Sequence, residues 1–181
     1  MSLYLLLEIF SIAIPLSLSF DKKLRFYKMW KSVFLSIFIS GALFITQDII
    51  FLNLGMWGFN PRYHTGIFLF GLPVEEWLFF IIIPYSCLFI HYVYELYSHA
   101  FSLSDRIVRL LSGLIIFLLF FVIAFNFDKI YTVVNSVLSI LLLVTALLDK
   151  TQVLNMYFIS FLIILIPFFI VDAILTGTFI E

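Results

Sequence analysis

The sequence contains few charged residues and a single cysteine, and it has no excess of either charge sign. Charged residues make up 12% of the 181-residue chain, whereas soluble domains contain roughly 25%. A water-soluble fold with so little charge would lack an adequate polar surface. The chain has 10 Lys and Arg residues and 11 Asp and Glu residues, so it has no excess of basic residues with which to bind nucleic acid. Cys87 alone cannot form an internal disulfide.

Other familiar signals are missing as well. No spacing of His, Cys, Asp and Glu resembles a metal site, so we expect no bound metal. The start, Met1-Ser2-Leu3, carries no positive charge, and no small-residue cleavage site follows the first apolar run. We therefore expect a retained helix there rather than a signal peptide.

Long apolar runs dominate what is present. The chain is 64% apolar with a mean hydropathy of +1.20, against about 45–50% apolar in soluble domains. The runs are continuous rather than alternating, which favours helices over a barrel. We therefore predict an all-α polytopic membrane protein with about six transmembrane helices. Their predicted bounds are Leu3–Phe20, Val33–Leu52, Val74–Leu96, Ile107–Phe125, Ile130–Leu147 and Tyr157–Leu175.

The distribution of basic residues predicts the orientation. Of the ten Lys and Arg residues, all but Arg62 and Lys129 fall in the first, third and fifth connections. Short loops rich in Lys and Arg stay in the cytoplasm. We therefore expect an integral protein of a bacterial inner membrane with its N-terminus outside.

A weak internal repeat of three-helix units is visible. Phe44 to Asp48 aligns with Phe168 to Asp172, and Glu8 aligns with Asn135. We accordingly divide the chain into a first repeat of three helices (1–97), a linking helix (98–128) and an incomplete second repeat of two helices (129–181).

Six polar side chains lie within the spans toward one face of the membrane: Glu8, Asp48, Glu75, Glu76, Asn135 and Asp172. Ionisable residues inside spans are rare and mark functional sites by default. A common depth is what a shared cavity requires. Two structural alternatives stay open. Glu75 and Glu76 follow Pro73, where acids stabilise a first helical turn, and Glu8 is equally compatible with an interfacial position.

Aromatic residues form 20% of the chain, and most of them fit lipid-facing and interfacial positions. Trp77, Phe79 and Phe80 stand directly beside the two glutamates. Aromatic faces there could stabilise a carbocation, each by about 0.5–2 kcal/mol.

One segment carries a resemblance to a known family. The sequence reads WGFNP at 57–61, GI at 66–67 and GLPVEEWLFF at 71–80. This segment resembles the N-P…G…LP-[VI]-E-E…FF signature of the lycopene cyclase domain, which occurs in bacteria, archaea and fungi as small subunits or as fused chains. The resemblance is good through about residue 97 and looser over the helix pair of the second half.

The resemblance implies a lycopene β-cyclase, an isomerase of carotenoid biosynthesis that needs no cofactor. The absence of a Gly-rich dinucleotide fingerprint is consistent with this. It implies Glu75 as the primary acid and Asp48 or Glu76 as the base or cation stabiliser. Trp77, Phe79, Phe80 and Asn60 are candidates for substrate binding or cation stabilisation. Asp172 and Asn135 are candidates for a second site, and Glu8 for a supporting role.

The expected partners are a lipid-soluble carotene, membrane lipid, and a second cyclase subunit or another copy of the chain. The fused members of the family carry a second Pro-X-Glu element. Counted from Asp172 with the Asp48-to-Glu75 interval, its counterpart would fall beyond Glu181. We therefore keep two alternatives, a non-catalytic or half-enzyme subunit of such a cyclase and a small membrane transporter.

Overall fold

The computed structural model describes residues 2–61, 63–98, 102–149 and 153–175. In chain order the elements are α1 (Leu3–Leu18), a one-turn 3-10 helix (Phe26–Met29), α2 (Trp30–Asn53), β1 (Phe68–Leu69), β2 (Leu72–Pro73), α3 (Val74–Tyr97), α4 (Asp105–Phe125), α5 (Ile130–Leu148) and α6 (Leu154–Leu175). The prediction of an all-α polytopic membrane protein is confirmed, and the predicted helix bounds differ from the observed ones by a few residues.

Five of the six helices are long and apolar enough to cross a membrane. The exception is α1, which has 16 residues and ends two residues before the predicted Phe20. At about 1.5 Å per residue it extends about 24 Å, less than the roughly 30 Å of a hydrocarbon core. It ends at Leu18, and the backbone N–H and hydroxyl of its C-cap Ser19 both donate to the carbonyl of Pro15.

The described chain divides into two compact units. The first comprises residues 1–97 and 163–181, and the second comprises 98–162. In the first unit, α3 packs against both α1 and α2. In the second unit, α4 packs against α5, and the side-chain amide of Asn155 donates a hydrogen bond of 2.7 Å to Asp105.

An aromatic core holds one end of the first unit together. Phe26 packs against Tyr85, Phe89 and Tyr92, with ring centroids 5.1–5.6 Å apart. The Tyr85 hydroxyl lies 2.5 Å from the Ser19 hydroxyl. α1 and α3 run side by side in the same direction, since Ser2 and Tyr4 bond the start of α3 and Ser19 contacts its middle.

A short hairpin that the sequence reading did not predict introduces α3. Leu69 pairs with Leu72 across the two-residue turn Phe70-Gly71, and both turn residues have positive φ, 53° and 85°. Positive φ at both central positions is the type I′ geometry that suits a tight hairpin. The hairpin delivers Pro73 and Val74 to the first turn of α3, where the two glutamates follow.

Candidate active site

The carboxyl group of Glu75 is held by donors from two other segments. Glu75 is fully buried, with 0% exposure. Its Oε1 accepts a hydrogen bond of 2.9 Å from the Ser2 hydroxyl and one of 2.6 Å from the backbone N–H of Thr65. Its Oε2 is buried and has no hydrogen-bond partner among the described residues. The two carboxyl oxygens of Glu75 thus differ, since only Oε1 is hydrogen-bonded there.

The carboxyl group of Glu76 points to α1. Its Oε2 accepts a hydrogen bond of 2.8 Å from the Tyr4 hydroxyl, and both residues are buried, at 8% and 9% exposure. The Tyr4 ring also packs edge-on against Phe79, with centroids 6.2 Å apart. The carboxyl groups of Glu75 and Glu76 therefore have different hydrogen-bond donors near the start of α1.

A third carboxyl group reaches the same region from α1. Glu8 lies one helical turn after Tyr4 and is only 1% exposed. Within residues 2–61, 63–98, 102–149 and 153–175, neither of its carboxyl oxygens has a hydrogen-bond partner. Its charge interacts with those of Glu75 and Glu76. Glu8 is thus enclosed by the described part of the chain, and both its supporting role and the interfacial alternative stay predictions.

Asp48 of α2 completes a group of four carboxyl residues from three helices. It is half-buried and interacts electrostatically with Glu76 and Tyr4. Among the described residues, no three His, Cys, Asp or Glu side chains are arranged to hold a metal ion. We call Glu8, Asp48, Glu75 and Glu76 the carboxyl cluster.

The aromatic candidates lie around the start of α3 in different roles. Trp77 donates its indole N–H to the carbonyl of Leu69 at 3.1 Å, so it ties α3 to the hairpin. Phe79 faces Tyr4 of α1, whereas Phe80 stacks in parallel on Phe44 of α2 at 6.4 Å. Of the three candidate rings, Phe79 is therefore the one that contacts Tyr4, which bonds Glu76.

The remaining candidates are Asn60, Asn135 and Asp172, whose roles stay predictions. Asn60 is exposed, and its carbonyl accepts a bond of 3.1 Å from the N–H of Tyr63. Asn60 and Tyr63 thus close a turn of the chain. The carbonyl of Tyr63 accepts a hydrogen bond of 3.3 Å from the N–H of Tyr4. Asn135 lies on α5, in the second unit. The side chain of Asp172 lies outside the described residues, so the second-repeat site stays a prediction.

Sequence reasoning missed the residues that hold the glutamates, namely Ser2, Tyr4 and Thr65. Tyr4 precedes Glu8 by four residues, so the two share a helix face. That spacing was the one available signal for Tyr4. Ser2 is the N-cap of α1, and its hydroxyl accepts a hydrogen bond of 3.3 Å from the N–H of Leu5. A serine before a helix is explained by this capping role, so the sequence gives no sign of its bond to Glu75.

A family model for lycopene cyclase matches residues 1–95 and 128–181. The chain belongs to the lycopene cyclase family. The first matched range contains the whole carboxyl cluster, and the stretch between the ranges contains α4. No curated protein and no solved structure significantly matches the chain. Membership in the lycopene cyclase family supports a carotenoid-cyclising role with a lipophilic carotenoid substrate.

Proposed function

We propose that this protein is a lycopene β-cyclase whose carboxyl cluster converts linear ends of lycopene to β-ionone rings without a cofactor. The observation that carries the proposal is the asymmetric environment of Glu75. Its Oε1 accepts two hydrogen bonds, while its buried Oε2 has no partner in the part of the chain that the structure describes. A proton on Oε2 would meet no competing acceptor among those residues. As that proton leaves, the two donors on Oε1 stabilise the negative charge that develops.

The reaction then balances as an isomerisation. Glu75 donates a proton to the terminal alkene, which leaves a tertiary carbocation. The neighbouring double bond attacks this cation, so a carbon–carbon bond closes the ring and the positive charge moves into it. A carboxylate, Glu76 or Asp48, removes a ring proton. The proton then returns to Glu75, and no electrons are exchanged with the surroundings.

The bonding of Glu76 suits the acceptor role. The Tyr4 hydroxyl donates to Glu76 and stabilises a carboxylate there, which suits a group that removes a proton. The Phe79 ring, which packs against Tyr4, offers an aromatic face to the cation. We further propose that the protein lies in a bacterial inner membrane with its N-terminus outside, so that the cluster lies toward the outer leaflet.

The test is pigment analysis of a lycopene-accumulating bacterial host that expresses residues 1–181. We expect the wild type to yield γ-carotene or β-carotene and Glu75→Gln to yield neither. The matched control is Glu95→Gln, because Glu95 is an exposed carboxyl on the same helix. Ring formation by Glu75→Gln at the wild-type rate would refute the assignment.

A wild-type chain that reaches the membrane but leaves lycopene unchanged would instead favour a half-enzyme subunit. Co-expression with a second cyclase half that has its own Pro-X-Glu element would then restore ring formation. If co-expression does not restore it, the cyclase proposal is wrong, and uptake of polar solutes by liposomes would test the transporter alternative.

A further inference from the structure

An apolar cavity of about 160 Å³ lies within the first unit. It is bounded by α1, by α3 and by the part of α6 that belongs to this unit, where Pro167 and Phe168 form the wall. We call it the α1–α3–α6 cavity. On α3 its lining runs from Phe79 to Ile90, a length of about 16 Å at 1.5 Å per residue.

The few polar side chains in the lining are already bonded to backbone carbonyls. The Ser86 hydroxyl bonds the carbonyls of Ser11 and Ile82 at 3.0 and 2.9 Å. The Ser11 hydroxyl bonds the carbonyl of Leu7 at 2.8 Å. With these donors occupied, the cavity offers mainly hydrocarbon surface. Apolar cavities of about 150 Å³ stay dry and take up small hydrocarbons.

The cavity continues from the carboxyl cluster along the same helix faces. Phe79 follows Glu75 by one helical turn and lines the cavity, and its ring also contacts Tyr4, which bonds Glu76. On α1, Ser11 follows Glu8 by three residues and lines the cavity from the other side. A linear hydrocarbon in the cavity would therefore have its nearer end within one turn of the cluster.

We propose that the α1–α3–α6 cavity binds the hydrocarbon chain of the linear carotene next to the end that is cyclised. This inference rests on the proposed function, because it takes its occupant from that reaction. The cavity is too small for the whole molecule, so it holds one segment and the rest of the chain lies in the lipid. Its extent along α3 sets how far the reacting end can lie from Glu75, and Cys87 is the lining residue whose enlargement blocks it.

The test measures bound pigment rather than turnover. Glu75→Gln keeps an oxygen that can accept the bonds from Ser2 and Thr65, so it should bind lycopene without converting it. We expect lycopene to co-purify with this variant, measured by visible absorbance per protein. Adding Cys87→Trp should lower the bound lycopene at least tenfold. Adding Ile81→Trp should not, since Ile81 is 44% exposed and is not part of the lining.

A Cys87→Trp variant that retains as much lycopene as its parent overturns the proposal. So does a purified protein that carries membrane-lipid acyl chains in the cavity and no polyene, as measured by mass spectrometry of the extract. If Cys87→Trp does not accumulate, Cys87→Leu carries the test. Its bound lycopene must fall below that of the matched Ile81→Leu variant, and equal retention again overturns the proposal.

The two proposals fail in different ways. Cyclisation by the wild type together with binding that is insensitive to Cys87 rejects the cavity and keeps the cyclase. Binding that depends on Cys87 in a protein that never forms rings, even with a second half, rejects the cyclase and keeps a carotene-binding cavity.

Discussion

Replacing Glu8 with leucine should make the protein more stable and less active at once. Both oxygens of Glu8 are buried, and no described residue gives them a hydrogen-bond partner. An unsatisfied buried polar group costs about 1–3 kcal/mol. Leucine is of similar size and has no polar atoms, so Glu8→Leu should recover much of that free energy of unfolding. For a chain of 150–250 residues, each kcal/mol corresponds to about 2–4 °C in Tm. The expected rise is therefore about 2–12 °C.

Activity should fall because the carboxyl group that is removed faces Glu75 and Glu76. A buried group that lowers stability, such as the carboxyl group of Glu8, is retained where activity requires it, because activity and stability often make opposite demands on a site. The assays are thermal unfolding of the purified protein in detergent and ring formation per folded protein. Glu95→Leu is the control, and a change at that exposed position should stay within about 0.5 kcal/mol. A Glu8→Leu variant that is less stable than the wild type would refute the reasoning, because it would mean that Glu8 makes favourable bonds in the folded protein.

Three further outcomes are expected. Tyr4→Phe removes the hydroxyl that bonds Glu76, and a hydrogen bond to a charged group contributes about 1.5–3 kcal/mol. Turnover should therefore fall roughly 10- to 100-fold, while the amount of protein in the membrane stays unchanged. Turnover within twofold of wild type would contradict this. Tyr85→Phe removes the hydroxyl that contacts Ser19 in the aromatic core. The free energy of unfolding should fall by about 1–3 kcal/mol, while turnover per folded protein stays constant. A loss of turnover would contradict this and would mean that the core and the site are coupled. Asp21 is an exposed residue in the connection after α1, and hydrogen bonds from the backbone N–H groups of Lys23 and Leu24 lower the pKa of its carboxyl group. The carboxylate therefore stabilises this turn at pH values above the usual aspartate pKa. That stabilisation is lost as the pH falls through the lowered pKa. Hydrogen exchange of that turn should therefore quicken in acid in the wild type, whereas Asp21→Asn should show no such change.

The helices were predictable because the bilayer imposes a simple rule on sequence. A span must be long, apolar and internally hydrogen-bonded, and five of the predicted runs have that character in the structure. The ends were less predictable. Phe26–Met29 forms a 3-10 turn that leads directly into α2 at Trp30, ahead of the predicted start at Val33, since basic residues hid the helical pattern there.

The hairpin before α3 was missed for a physical reason as well. Its turn is Phe70-Gly71, and a bulky residue at positive φ is not the Asn-Gly or Asp-Gly pair that marks such turns in a sequence. Strands of two residues also give no alternation to detect.

The site divides in the same way. Depth along the spans is readable from a sequence, and it predicts a common depth for six polar residues: Glu8, Asp48, Glu75, Glu76, Asn135 and Asp172. The first four belong to the carboxyl cluster, while a shared cavity for all six stays a prediction. Their catalytic roles stay a prediction. The partners of the glutamates depend on which helices are neighbours, and that information is not present in any single span. The internal repeat and its second site likewise remain predictions.

The shortness of α1 has a consequence for the choice of membrane. A helix of about 24 Å that packs along the longer α3 leaves a mismatch of several ångströms with an average bilayer, which lipids meet by thinning locally. The shortfall lies at the Ser19 end of α1, because Ser2 and Tyr4 bond the glutamates at the start of α3 whereas Ser19 contacts Tyr85 in the middle of that helix. Local thinning at that end leaves the depth of the carboxyl cluster unchanged. Reconstitution into lipids with longer acyl chains should therefore lower the stability of the Ser19–Tyr85 end, through the cost of the mismatch, and leave the cyclisation rate unchanged.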